Sequence, residues 1–436
     1  MKQIFSAIAL LLCANMASAQ FGNLLDRAKN KVNQKVNQKI DQKMDKAVDE
    51  AVEGADKEVS GKNKGKTKSG SNTGGNEAEN NSGGSGKSGG TGFKSYSKFD
   101  FVPGEKIIAQ EDFSQDNVGD FPDKWNTNAS GEIVTIDGQP GKWLALTKPG
   151  VYYPEFLNSL PENFTIEYDV AAHEKYSFYS GWLMLGIAKA SDAKNTFNAW
   201  KAFGSGRDGI AIRVHPQAAG GGTGMYSYTV YEKGEEVMKS DGAQSNFTNK
   251  NNVAHISIWR QKSRIRVYIN QEKVIDLPKA LTGTYSKIVF TPDYSYNSNE
   301  DILHIANLRV AVGAPDTRNK LITEGKFVTH GILFDVNSAT IKATSYGALK
   351  DIANVLKESA DVKVKIIGHT DADGDDKANM ELSKKRAEAV KSILSKEFGI
   401  EGDRMETDGK GESQPIDKNT SSEGKANNRR VEFIKQ

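Results

Sequence analysis

The chain has 436 residues, with 58 Lys and Arg against 56 Asp and Glu. That length allows two or three domains, and a formal charge of only +2 argues against nucleic acid as the main partner. The single cysteine, Cys13, leaves no room for an internal disulfide, and its removal with the first residues would leave no thiolate for a metal site either.

The first residues, MKQIFSAIALLLCANMASAQ, place one lysine before an apolar run from Ile4 to Leu12 and then Ala17-Ser18-Ala19. This is the layout of a secretory signal peptide over residues 1–19, so the mature chain is expected to be exported. The run is too short for a membrane-spanning helix, and no later stretch approaches the roughly 20 apolar residues a span requires. Cleavage after Ala19 would remove Cys13. The alternative is a lipoprotein signal, in which Cys13 is acylated and becomes the first residue.

Residues 20–59 form a charged helical segment in which Val32, Val36, Ile40, Met44, Val48 and Val52 recur every fourth position. A helix about 50 Å long fits this pattern at 1.5 Å per residue. A spacing of four drifts by about 40° per step, so the apolar stripe winds around the helix and cannot make a long straight seam. A solvated spacer is the plain reading, and self-association or packing on a membrane protein is the other. Residues 60–98 are dominated by Gly, Ser, Asn and Lys, which predicts a flexible tether with a reach of about 35 Å.

Residues 99–315 read as an all-β sandwich. Runs such as FTIEYDV (Phe164–Val170), HISIW (His255–Trp259) and IRVYI (Ile265–Ile269) alternate and are separated by turn clusters. The period of two puts Ile166, Tyr168 and Val170 on one face and Thr165, Glu167 and Asp169 on the other, as in a sandwich with one wet face per sheet. The stretches DFSQDNVGDFPDKW, LPENFTIEYDV and HISIWRQKSRIRVYINQEKVIDLP resemble concanavalin-like and laminin-G-like jelly-roll domains, and that resemblance implies a sugar-binding face. Asp112, Asp116, Asp120 and Asp123 could supply oxygens to calcium, although their spacing departs from an EF-hand loop and turn-forming aspartates explain them as well. Glu155, Glu162 and Glu167 are candidate glycosidase carboxylates. An eight-stranded outer-membrane barrel would also use alternating strands, but charges at the presumptive outward positions argue against it.

From Phe327 strands alternate with helices. GILFDV is a short apolar run, Lys342–Glu358 carries Leu349, Ile352, Ala353 and Leu356 at helical spacing, and VKVKIIG alternates. Asp376–Phe398 carries Leu382, Val390, Ile393 and Leu394 on one side, and RVEFIK closes the chain as a strand. This order predicts a compact two-layer α/β domain.

Within IIGHTDADGDDKANMELSKKRAEAV, Asp371 lies at a strand end, where ligand crevices of α/β folds form. Gly368 and Gly374 flank it and let the backbone turn, and Asp375 or Asp376 can cap the next helix. On that helix Asn379 and Arg386 are seven apart, with Ser383 close to the same face. Arg386 can fork onto a carboxylate and Asp371 can accept an ammonium, so together they match a zwitterion. His369 reads as structural, because no Cys, second His or ligand-spaced partner accompanies it. Asp373, Asp375 and Asp376 read as turn and helix-start residues. No metal or cofactor is expected, and no nucleophile, base and orienting group can be assembled.

The motifs FDVNSATI, IIGHTDADG, NMELSKKRAEAVKSIL, GKGESQPI and NNRRVEF resemble, in that order, the peptidoglycan-binding domain of the OmpA C-terminal family, shared with peptidoglycan-associated lipoproteins and flagellar stator proteins. The resemblance covers residues 327–436. It implies a mixed sheet with helices on one face, and noncovalent binding of peptidoglycan through the diaminopimelate of the stem peptide. The aspartate of the H-T-D motif and the arginine of L-S-x-x-R-A are Asp371 and Arg386. Asn337, Thr370, Asn379, Ser383 and Arg429 are the candidate positions around them; Arg429 and Arg430 both follow the N-R-R-V pattern, in which one borders the pocket and at least one supports the last strand. The expectation is an exported multidomain protein, not an enzyme, on the periplasmic face of the outer membrane. It would tie outer-membrane proteins or lipid to the wall, with a glycan or protein ligand at the sandwich. The alternatives are a wall-localised glycan-active enzyme and a lectin-like adhesin.

Overall fold

The computed structural model describes residues 99–293, 299–314 and 316–436. The signal peptide, charged helix and tether expected over residues 1–98 lie outside the described residues. In chain order the first part runs β1 (Lys106–Glu111), β2 (Trp125–Thr127), β3 (Glu132–Val134), β4 (Trp143–Leu146), β5 (Tyr152–Pro154), β6 (Asn163–Ala172) and β7 (Leu183–Ala188). It continues through α1 (Ala193–Trp200), β8 (Gly209–His215), β9 (Gly224–Glu232), β10 (Glu235–Gln244), β11 (Val253–Gln261), β12 (Arg264–Ile269), β13 (Glu272–Leu277), β14 (Lys287–Pro292) and β15 (Leu303–Val312).

These strands form two antiparallel sheets. One has the order β13-β12-β11-β6-β15-β4-β3, with β1 also on β15, and the other the order β10-β9-β8-β7-β14-β5-β2. Alternation decides which side chains fill the space between them. Phe164, Ile166, Tyr168 and Val170 from one sheet meet Leu183, Leu185, Ile187, Ile210, Ile212 and Phe290 from the other. Each such side chain contributes roughly 1.5–3 kcal/mol when fully buried.

The outward faces are not the wet surfaces that alternation predicts. Thr165 and Glu167 are only 1% and 3% exposed: Thr165 accepts from the Gly104 N–H at 3.0 Å in the segment before β1, and Glu167 pairs with Arg309, which itself donates to His330 of the C-terminal domain. On the seven-stranded sheet α1 lays Trp200 over Met184, Ala188, Ala211 and Val289. Gly186 makes this possible: a Cβ there would stand 2.3 Å from the Trp200 ring.

The C-terminal domain contains β16 (Lys326–Thr329), α2 (Tyr346–Glu358), β17 (Val364–Gly368), α3 (Asp376–Lys396), β18 (Met405–Gly409), α4 (Ser422–Asn428) and β19 (Val431–Lys435). Its sheet has the order β16-β19-β17-β18, with β17 and β18 parallel and the other pairs antiparallel. Leu349, Ile352 and Leu356 of α2 and Val390 and Leu394 of α3 pack on Val364, Ile366, Met405 and Phe433. Leu382, expected in this stripe, is only half-buried, and the buried side of α3 continues instead through Arg386, Ser383 and Asn379. The front half of α3 therefore buries polar groups where a packing helix would bury apolar ones.

Specific contacts hold the two parts together. Phe99, Phe101 and Val102 pack with Trp259 and Tyr268 of the sandwich and against Tyr346 of α2. Gly347 lies so close to this segment that a Cβ would stand 2.0 Å from the Phe101 carbonyl oxygen. The Asn427 side chain pairs with both backbone polar groups of Ile107, at 3.0 Å each. Arg309 donates to the His330 carbonyl at 2.7 Å.

Candidate functional site

The site forms where α3 crosses the ends of β17 and β18. Asp375 caps α3, accepting from the Ala378 N–H at 3.0 Å. A Cβ at Gly368 would lie 2.2 Å from the Ser383 carbonyl oxygen, and one at Gly409 2.5 Å from the Ser383 hydroxyl. Gly368 thus serves close approach of helix to strand. Of the two glycines read as turn formers, only Gly374 has a positive φ, at 101°.

Several expected site residues are occupied in holding this junction. Ser383 donates to the Met380 carbonyl at 2.8 Å and accepts from the Gly411 N–H at 2.9 Å. The Asn379 amide donates to Glu412 at 2.6 Å and to the Asp373 carbonyl at 3.1 Å. Thr370 is tied by its N–H to the Gly411 carbonyl at 3.0 Å, while its buried hydroxyl has no partner among the described residues. Asn337 is exposed and has φ 52°, in the turn that precedes Ser338.

Asp371 and Arg386 belong to one charged cluster, but not as a direct pair. Asp371 is 8% exposed and forms an ion pair with Arg429. Its other oxygen accepts from the Asp373 N–H at 3.3 Å. Arg386 donates through Nε to the Ser338 carbonyl at 3.0 Å, and its guanidinium sits 4.9 Å from the Phe334 ring centroid, a cation–π distance. No carboxylate pairs with Arg386 among the described residues. Burial and the neighbouring Arg429 depress its pKa, with Asp371 opposing them. Two guanidiniums thus stand near one carboxylate, which pairs with Arg429, and the cluster favours an incoming anion.

Arg430 has a different role, pairing with Glu432 at 2.8 Å and donating to the Gln414 carbonyl at 3.0 Å. His369 is buried with Nε2 3.5 Å from Glu432. Burial opposes the charge of Glu432, yet the neighbouring His369, Lys326 and Arg430 hold its pKa well below the usual carboxylate range. Asp373 pairs with Lys425 at 2.7 Å.

Arg386 and Arg429 open onto a cavity of about 420 Å³ whose far side is the outer face of the sandwich: Glu167, Asp169, His255, Asn307 and Arg309. Sequence reading did not assemble this group. His255 bonds Asp169 at 2.7 Å and lies 3.4 Å from Glu167, Arg309 pairs with Glu167 at 3.2 Å, and Asn307 donates to Asp169 at 2.6 Å. Burial alone would lower the pKa of His255, but its bonds to Asp169 and Glu167 raise it to about 10. Burial likewise works against both carboxylates, and Arg309 and His255 for Glu167, and chiefly His255 for Asp169, hold them below their ordinary values.

Other expected residues are not brought together. Asp112 accepts from the Ser114 N–H at 3.0 Å and Asp120 from Asn117 at 3.3 Å. The Lys142 ammonium takes the Asp116 carbonyl at 2.6 Å. Among the described residues no group of three or more His, Cys, Asp or Glu is placed to hold a metal ion, so the calcium candidates do not converge. Glu155 follows β5 and accepts from Asn126, Glu162 is exposed just before β6, and Glu167 lies within β6 in the other sheet, paired with Arg309.

A family model described as OmpA family matches residues 333–429. Outer membrane porin F of Pseudomonas aeruginosa is 41% identical over 101 residues, covering 23% of this chain and 29% of that protein. Peptidoglycan-binding protein ArfA of Mycobacterium bovis is 39% identical over 108 residues, covering 24% of this chain and 33% of that protein. The solved structure of the peptidoglycan-associated lipoprotein from Burkholderia pseudomallei is 27% identical, covering 28% of this chain and 98% of that one, with a TM-score of 0.24. The chain thus spans about a third or less of these two curated relatives' own lengths. The matched segment contains Asn337, Thr370, Asp371, Asn379, Ser383, Arg386 and Arg429, and with it the C-terminus of this chain is an OmpA-family domain.

Proposed function

We propose that the C-terminal domain binds peptidoglycan noncovalently in the cell envelope, gripping the zwitterionic end of diaminopimelate in the stem peptide. The observation that carries this reading is Arg386. It is held by Phe334 and Ser338, no carboxylate pairs with it among the described residues, and a second guanidinium stands nearby. A planar fork oriented in this way suits bidentate capture of a carboxylate. Asp371 keeps acceptor capacity beyond its bond to Arg429 and would meet the ammonium. The name of the mycobacterial relative and the match to an outer-membrane porin support the same assignment. In this reading the N-terminal segments tie the outer membrane, through its proteins or lipid, to the wall.

Each charge-assisted hydrogen bond contributes roughly 1.5–3 kcal/mol. A single stem therefore binds modestly, and the repeating polymer supplies avidity. The test is co-sedimentation of the full chain with purified sacculi. Arg386→Ala and Asp371→Ala should both lose binding while keeping the wild-type circular dichroism spectrum; retention by both variants would overturn the reading.

A further inference from the structure

The cavity beside Arg386 has two walls, and only one belongs to the OmpA-family domain. The other is the outward face of β6, β11 and β15, where Asp169 and Asn307 stand at the surface of the cleft. The register of β15 against β6 slips between Ala306 and Arg309, and Asn307 takes φ 53° at that slip. Bulges of this kind re-aim a side chain, and asparagine is among the few non-glycine residues that tolerate the left-handed conformation. Asn307 is thereby turned onto Asp169. Asp169 also accepts from His255, yet a carboxylate offers about four lone-pair sites, so acceptor capacity remains. Across the cleft the buried Thr344 hydroxyl has no partner among the described residues, and Thr344 lines the same cavity.

We propose that the sandwich is the second wall of the ligand site: Arg386 takes the side-chain carboxylate of the diaminopimelate end, and the Asp169–Asn307 pair shares with Asp371 the three N–H donors of its ammonium. This rests on the peptidoglycan reading above and deepens it. A volume of about 420 Å³ lies in the lower part of the range for small-molecule sites. It suits the free end of one peptide.

The test is calorimetric titration of the full chain with the synthetic tripeptide L-Ala-γ-D-Glu-meso-diaminopimelate, and with an analogue lacking the side-chain ammonium. Asn307→Gly keeps the backbone conformation and removes the amide, and should weaken tripeptide binding about threefold to tenfold. Asp169→Asn should weaken it about tenfold and narrow the preference of the wild type for the tripeptide over the analogue by a similar factor. A merely structural role for Asp169 would leave that preference intact. If Asp169→Asn is unfolded by circular dichroism, Asn307→Gly decides alone. Sandwich variants within twofold of wild type, with binding lost in Arg386→Ala, would overturn the two-walled site and leave the wall-binding reading standing. Equal titration curves for wild type and Arg386→Ala would overturn both.

Discussion

Arg386 and Gly368 show how single residues set this site. Arg386 enters the cleft from a buried helix face because its aliphatic stem and ring contact are apolar while its charged tip is not. Its position depends on how closely α3 lies on β17, and Gly368 sets that distance. A methyl group there would meet the Ser383 carbonyl oxygen at 2.2 Å, a backbone atom that cannot rotate away. Gly368→Ala should therefore cost about 1–3 kcal/mol, the usual range for overpacking. It should also displace the front of α3 and weaken sacculus binding. Urea denaturation reads the first effect and co-sedimentation the second; an unchanged urea midpoint would show that the junction is looser than the geometry states.

At the level of elements, α3 was largely legible in advance. Its start follows from the Asp375 cap, and Asp375→Ala should cost about 1 kcal/mol, read as a lower denaturation midpoint with an unchanged slope. Its back half followed from Val390 and Leu394. Its front half did not follow the apolar pattern, because the buried stripe there is Asn379, Ser383 and Arg386, and hydropathy assigns such residues to solvent. The same blindness affected the sandwich. Alternation correctly separated Ile166, Tyr168 and Val170 from Thr165, Glu167 and Asp169, but it reports which side chains share a face and not what covers that face. One trace of the second wall was present in β15: the apolar positions run Leu303 and Ile305, then Leu308 and Val310, a one-residue slip in parity that marks the bulge at Asn307. The pairing of Asp371 with Arg429 is a contact between segments 58 residues apart, and no local pattern encodes it.

For the whole molecule, the junction between sandwich and C-terminal domain is a buried polar interface, and its charges predict how stability depends on pH. His255 lies between Asp169 and Glu167, with Arg309 on Glu167 and Asn307 on Asp169. From the C-terminal domain His330, Lys342 and Arg429 line the same cavity. The folded pKa of His255 is raised from 6.5 to about 10. Its contribution is therefore complete below pH 6.5 and is lost as pH climbs toward 10, because the unfolded chain gives up the proton first. His330 has the opposite sign. Burial, then the Arg309 charge, lowers its pKa to about 4, so its contribution is complete above pH 6.5 and declines from there toward 4. Glu167 and Asp169, both depressed, add to the acid loss at still lower pH. These opposing limbs make the contribution of this cluster greatest near pH 6.5. On the alkaline side the slope should reach up to about 1.4 kcal/mol per pH unit, and buried tyrosines do not contribute until about pH 10. Thermal melting of the wild type between about pH 6.5 and 9 should thus show a steady fall in Tm, while His255→Gln, less stable throughout, should be nearly flat over the same window. Parallel curves for the two proteins would mean that His255 does not carry the charge at this interface. A flat variant would identify the Glu167–His255–Asp169 cluster as the alkaline-sensitive part of the seam that holds the second wall of the cleft against the first.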